Sequence, residues 1–256
     1  MSSNPFAEFE VIRVEDRGPM RLATINRPAK ANALNSTALA ELEAVVDATS
    51  GNDAIRLFAI TGAGEKVFCA GADLFEATGQ NSKSDSAMAN DQRWDALTAR
   101  IAALPCFTVA LVNGACIGGG LSVVLAFDYR LGARHAYFRY PVAKHGFMPS
   151  VADLARLKAI AGRSVTRKLL VLGQAIAMPA ALEAGLLDEL VDEGGAWKTV
   201  DTLAEQVMDG QATSQLATKR LLTQDGASPE VIDLCYRAVY DMDHDAIAEL
   251  RTLGAE

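Results

Sequence analysis

Apolar positions in this chain fall into short strand-like runs separated by turn formers, and into longer stretches where they recur every three or four residues. Residues 9–14 and 20–25 are two such runs, and the connector Glu15-Asp16-Arg17-Gly18-Pro19 between them is rich in turn formers, which predicts a hairpin. Ser36 then caps a helix in which Leu39, Leu42, Val45 and Val46 share one face, and Gly51-Asn52 closes it. Residues 56–60 form a buried strand. The polar stretch 79–90, rich in Ser, Asn and Asp, reads as a mobile loop. A helix over about residues 91–104 ends before Pro105, and strand 107–112, a glycine turn, helix 121–127 and strand 128–132 follow. From residue 151 onward the pattern is almost wholly helical, with stops at Gly162, Gly173, Gly185 and Gly194-Gly195. Alternating strands and helices imply an α/β class with right-handed crossovers and a largely parallel sheet, followed by a helical last third.

At 256 residues with 50% hydrophobic content the chain is long enough for one large α/β domain with an extensive core, or for such a domain with a small helical appendage. A formal charge of −8 argues against a nucleic-acid or anionic-membrane surface, because both need a clustered basic footprint. The first ten residues carry no apolar segment, and no run approaches the roughly 20 apolar residues needed to span a bilayer. The expectation is a soluble, cytoplasmic protein. Cys69, Cys106, Cys116 and Cys235 lie in apolar surroundings with no Cys/His pairing at metal spacing, so buried thiols are expected and no metal.

The segment Cys116-Ile117-Gly118-Gly119-Gly120-Leu121-Ser122 carries the first chemical pointer. Glycines let a ligand approach bare backbone, and a helix start offers N–H groups and a positive dipole end. That combination is an anion or oxyanion site made of backbone. It is neither a P-loop, lacking Gly-Lys-Ser/Thr, nor a dinucleotide fingerprint. A second turn, Ala70-Gly71-Ala72-Asp73-Leu74, follows another strand-like run.

Taken with Asn26-Arg27-Pro28-Ala29-Lys30-Ala31-Asn32-Ala33-Leu34 and Val112-Asn113-Gly114, these motifs in this order resemble the crotonase family of enoyl-CoA hydratases and isomerases. The resemblance runs from about Val11 to Asp192, and more loosely beyond. It implies a spiral of ββα turns over residues 1–195 and a helical oligomerisation region over 196–256, with homotrimers or homohexamers. It implies an acyl-CoA thioester as partner, with coenzyme A as part of the substrate and no permanently bound cofactor. Ala72 and Gly119 would supply the two backbone N–H groups of an oxyanion hole, which stabilise a thioester enolate where its charge develops. Arg27, Lys30 and Ala31 would run beside the nucleotide, with Ala70, Asp73 and Leu74 flanking the pantetheine. The segment 216–222, with Lys219, resembles the family's Ala-x-x-x-Lys helix.

The acid/base groups depart from that pattern. Hydratases of the family carry one Glu three residues after the oxyanion Gly and another about twenty residues later; here those positions hold Ser122 and Val142. Two carboxylates can activate a water and deliver a proton to the α-carbon, which a Ser and an aliphatic side chain do not. The glycine-rich turn after Pro149 is replaced by Ser150-Val151-Ala152-Asp153. Remaining candidates for a proton carrier are Asp153, with helix capping as its plain alternative, and His145, with simple packing as its alternative. Glu76 and Asp85 could reach a pocket from their loop. Asp128 reads as structural, and Tyr137, Phe138 and Tyr140 read equally as acyl pocket or as core. Two functions of different class remain open. One is a thioester enzyme, a lyase or isomerase working other than by ordinary hydration; the other is a non-catalytic acyl-CoA binding protein.

Overall fold

The computed structural model describes residues 5–73, 84–192, 194–223 and 227–254, with 84–91 described by their backbone alone. Strands β1 (Ile12–Arg17) and β2 (Met20–Ile25) form the hairpin. Its connector is shorter than the sequence predicts, because β1 runs on to Arg17. The extension is held by a cross-strand pair, Asp16 opposite Arg21, whose Nε donates to Asp16 Oδ1 at 2.8 Å. Gly18 then closes the turn at φ +60°. In helix α1 (Ser36–Ser50) the cap is Asn35 rather than Ser36, since the Asn35 side chain accepts from the Ala38 N–H.

Each later turn of the chain gives one strand to each of two sheets before a helix returns it. β3 (Leu57–Gly62) and β4 (Val67–Cys69) precede α2 (Ser84–Ala102), and β5 (Phe107–Val112) and β6 (Ala115–Ile117) precede α3 (Gly119–Val124). β7 (Tyr129–Ala133) and β8 (Tyr137–Arg139) precede α4 (Val151–Leu170). β9 (Ala175–Ala177), α5 (Met178–Glu183) and β10 (Glu189–Val191) end the spiral. The larger sheet has the order β1-β2-β3-β5-β7-β10 and the smaller one β4-β6-β8-β9. Pairing is parallel except for β1–β2 and β8–β9. This is the ββα spiral that the resemblance implies.

Alternation along β3 sorts the core into two sides. Phe58 and Ile60 face the main cluster, which draws on both sheets and on α1 to α5, while Leu57 and Ala59 face the other side of the larger sheet. That side is covered by α6 (Ala196–Asp209) through Val200 and Val207. Helices α7 (Ala212–Thr223), α8 (Pro229–Tyr236) and α9 (His244–Thr252) pack on a small core of their own around Leu216, Leu234 and Leu250. Lys219 ties them back, its Nζ donating to Asp128 Oδ2 at 2.7 Å and to the Cys106 carbonyl at 2.8 Å. Asp128 also accepts from the Thr108 N–H, which is the structural role expected of it.

One further expectation is corrected. Helix α2 begins at Ser84, not near residue 91, so the backbone of 84–90 is helical where a loop is predicted; the helical phase of Trp94, Leu97, Thr98 and Ile101 simply extends backward through polar sequence. Gly162 interrupts α4 as the sequence predicts, since its backbone at φ +73° and ψ 173° is non-helical and divides the element into two helical segments. The region after residue 151 is almost wholly helical as expected, apart from β9 and β10, which complete the edges of the two sheets. Strands of three residues are too short to register as a periodic pattern.

Candidate active site

The two segments implied in coenzyme A binding lie side by side. Ala70 N–H donates to the Ala31 carbonyl, Leu34 N–H to the Gly71 carbonyl and Asp73 N–H to the Leu34 carbonyl, at 3.1, 2.8 and 3.0 Å. Leu34 and Ala72 therefore form a parallel bridge, and the Ala72 N–H points away from Leu34. Arg27 Nη1 reaches both the Ala33 carbonyl at 3.0 Å and Asp73 Oδ2 at 2.8 Å, so these two predicted contact residues form an ion pair. Lys30 is exposed. Leu74 and Glu76 lie outside the described residues, as does the Asp85 side chain.

Asn32 staples this region. At 1% exposure and φ +53°, it accepts from the Arg27 N–H through Oδ1 and donates through Nδ2 to the Ala63 and Val67 carbonyls. Pro28, Ala31, Asn32, Ala63, Gly64, Glu65, Lys66 and Val67 line a cavity of about 500 Å³ next to it.

Each glycine of the two turns has its own physical reason. Gly71 adopts φ +90°, and a Cβ there would stand 2.9 Å from both the Gly119 nitrogen and the Ile117 carbonyl oxygen. The Ala72 turn and the Gly119 turn are therefore in direct contact, and both Ala72 and Gly119 are partly open to solvent. Gly118 caps α3 with φ +54°. A Cβ on Gly119 would meet the far ring of Trp94 at 2.8 Å, and one on Gly120 would meet the Cys69 carbonyl at 2.7 Å. With only six residues α3 has little macrodipole, so any anion here would be held mainly by individual N–H groups.

One turn below Gly119, Ser122 is buried on α3 and meets a residue from a different element. Ser122 Oγ donates to Asp153 Oδ2 at 2.6 Å, Tyr140 OH donates to the same oxygen at 2.6 Å, and the two hydroxyls are 2.9 Å apart. Asp153 sits in the first turn of α4, where Ser150 provides the cap by accepting the Asp153 N–H at 3.1 Å. Its carboxyl is thus free of capping duty. It is 2% exposed, and Oδ1 has no hydrogen-bond partner among the described residues. Burial pushes the Asp153 carboxyl above the usual carboxylate range; the Ser122 and Tyr140 hydrogen bonds and Arg156 pull the other way, and Asp95 adds to the rise. Arg156, three residues on, gives its Nη1 to Thr98 Oγ1 at 2.8 Å and has its own pKa lowered by burial.

Among the sequence candidates, then, the fold brings Ser122 to Asp153 and the Ala72 turn to Gly119. His145 is not brought to them: it is exposed at the end of the 3-10 turn Val142–His145, and no hydrogen bond among the described residues joins it to Ser122, Tyr140 or Asp153. Val142 packs against the main core. Trp94, Asn32 and Arg156 are not singled out by the sequence reading. The Asp-x-x-Arg spacing on one helix face and a lone Trp in a polar helix were the available pointers.

Comparison with known proteins agrees with this architecture. The family model described as enoyl-CoA hydratase/isomerase matches residues 18–240. The Bacillus subtilis protein YngF, named for that family, is 33% identical over 171 residues, which span 67% of this chain and 65% of that protein. The 1,2-epoxyphenylacetyl-CoA isomerase of Escherichia coli is 31% identical over 245 residues, covering 94% of this chain and 90% of the relative. The crystal structure of an enoyl-CoA hydratase/carnithine racemase from Magnetospirillum magneticum superposes with a TM-score of 0.85 at 26% identity, over 94% of this chain and 92% of that one. With the two-sheet spiral and the paired glycine turns, these matches establish that the chain belongs to the enoyl-CoA hydratase/isomerase family.

Proposed function

We propose that this protein acts on an acyl-CoA thioester, stabilising its enolate with the Ala72 and Gly119 N–H groups, in a reaction other than ordinary two-carboxylate hydration. The observation that carries the reading is the close packing of the two turns: Gly71 leaves no room for a side chain against the Gly119 nitrogen, and Ala72 directs its N–H away from Leu34. Two such donors act on the oxygen where negative charge develops, and removing one typically costs about 2.7–4 kcal/mol of transition-state stabilisation. The cavity beside Ala31, Asn32 and Lys66 is suited in size and position to the nucleotide end of coenzyme A. Ser122 and Val142 in place of the family's two glutamates favour isomerisation, decarboxylation or C–C cleavage over water addition. Exposed Leu222, Tyr236, Tyr240 and Met242 on the C-terminal helices suit assembly into a trimer or hexamer.

The test is product analysis with crotonyl-CoA and with 3-enoyl-, β-keto- and malonyl-type thioesters, using Gly119→Pro as the control that deletes one donor. Turnover of at least one thioester, abolished in Gly119→Pro, is the expected result. The missing glutamates also favour a second reading, a non-catalytic acyl-CoA binding protein. Tight binding without product from any thioester would establish that reading instead.

A further inference from the structure

The Asp153 carboxyl is expensive where it stands. A buried polar atom is unfavourable without a partner, and Asp153 Oδ1 has none among the described residues. No ion pair joins it among the described residues. Arg156 on its own helix is committed to Thr98, and the other charged group facing it is Asp95 of α2, which is repulsive. Its Oδ2, by contrast, receives two hydroxyl bonds at 2.6 Å, the short distance of a charge-assisted O–H···O contact. Serine, tyrosine and carboxyl thus form a triangle of three mutually hydrogen-bonded oxygens that can exchange protons. The triangle also has an address: Ser122 lies three residues after Gly119, a rise of about 4.5 Å along α3.

We infer that Asp153, Ser122 and Tyr140 form one proton-carrying unit that serves the thioester bound at Gly119, with Ser122 passing protons between the substrate's α-carbon and Asp153. In the forward step the α C–H bond breaks, its proton goes to Ser122 Oγ, and the Ser122 hydroxyl proton passes to Asp153 Oδ2. The C–H electron pair moves into the enolate, whose oxygen is held by the backbone donors. The products are an enolate and a neutral Asp153, and the reverse sequence returns the proton to carbon. Ser122 is the catalytic residue in this scheme; Asp153, acting through it, holds the proton. Tyr140 is a positioning residue that keeps the ionised carboxylate accessible. One proton carrier is enough to move a proton within a thioester, which points to substrates with an acidified α-position, such as β,γ-unsaturated acyl thioesters. This inference rests on the enolate reading above.

The test uses 3-butenoyl-CoA in deuterium oxide, with deuterium incorporation followed by mass spectrometry and binding followed by calorimetry. The native protein is expected to incorporate deuterium. Ser122→Ala and Asp153→Asn are expected to slow incorporation by about 100-fold or more while changing Kd by less than about threefold. Because the Tyr140 hydrogen bond lowers the Asp153 pKa, Tyr140→Phe is expected to move the acid limb of the exchange profile to higher pH. A merely structural Tyr140 would not move that limb. Exchange at the native rate in Asp153→Asn, or an unmoved limb in a folded Tyr140→Phe, overturns the inference. Native protein that binds 3-butenoyl-CoA but exchanges nothing also overturns it and leaves acyl-CoA binding standing. Native protein that binds no acyl-CoA removes the functional reading itself.

Discussion

Asp153 Oδ2 lies 2.6 Å from Ser122 Oγ, although 31 positions of sequence separate the two residues. The contact puts a carboxyl in touch with the residue that follows the second glycine turn by one helical turn. Its consequences for stability have a definite sign. A carboxyl whose pKa is raised by folding is neutral in both states at low pH, so its contribution is fully present there. As pH rises, the unfolded chain releases the proton first, and the contribution is lost through the raised folded pKa.

Asp153→Asn is uncharged throughout, so it is predicted to gain stability relative to the native protein as pH rises from about 4 to 7. Urea unfolding of both proteins at the two pH values checks this. A relative gain at pH 4 instead would mean that the carboxyl is not penalised by burial.

Gly119 and Trp94 make a paired prediction. Gly119→Ala keeps the N–H but drives a methyl to 2.8 Å from the Trp94 ring, so turnover should fall by about 10²-fold, the scale of a displaced oxyanion donor. Trp94→Phe removes the part of the ring that clashes. The double variant Gly119→Ala/Trp94→Phe should recover about tenfold over Gly119→Ala alone. Steady-state kinetics of the three variants, with circular dichroism to confirm folding, decides it.

Glu41 holds the start of the chain in place. Its carboxylate accepts from the N–H groups of Glu10, Val11 and Ile12 at 2.8, 2.9 and 2.8 Å. Glu41→Ala orphans these donors and should cost about 3 kcal/mol, which is a fall in Tm of about 6–12 °C for a domain of this size. Differential scanning calorimetry measures it, and kcat should change little because the site is elsewhere.

Asn32→Gly accepts the positive φ but deletes the three side-chain hydrogen bonds that staple residues 27, 63 and 67. The cavity they border should loosen, raising KM for an acyl-CoA by about tenfold. A truncated thioester lacking the nucleotide should show no such rise, and an equal rise for both would remove the cavity from coenzyme A binding.

The thiols should be inert in the folded protein. Burial pushes the Cys69 thiol up to about 12 and the Cys106 thiol up to about 11, and Cys116 and Cys235 are also buried. At pH 8 the Cys69 thiolate fraction is then roughly one in ten thousand. Ellman's reagent should register no rapid thiol until denaturant is added, and a fast-reacting native thiol would contradict the packing around Gly120.

What the sequence determined by itself is whatever depends on local spacing. The Leu39, Leu42, Val45, Val46 face fixes α1, the apolar run 107–112 matches β5, and the order of the glycine turns identifies the family, because helix phase and turn conformation are properties of a few consecutive residues. Asp153 could be named as a candidate from its place near a helix start, but not distinguished from a cap. Only the tertiary structure decided that Ser150 takes the capping bond, leaving the carboxyl to Ser122 and Tyr140, and that His145 stays in solvent. It alone placed Trp94 over Gly119 and Asn32 across three strand ends. Such contacts join elements far apart in the chain, and their partners are chosen by how two sheets and their helices pack, a condition that no local pattern of residues encodes.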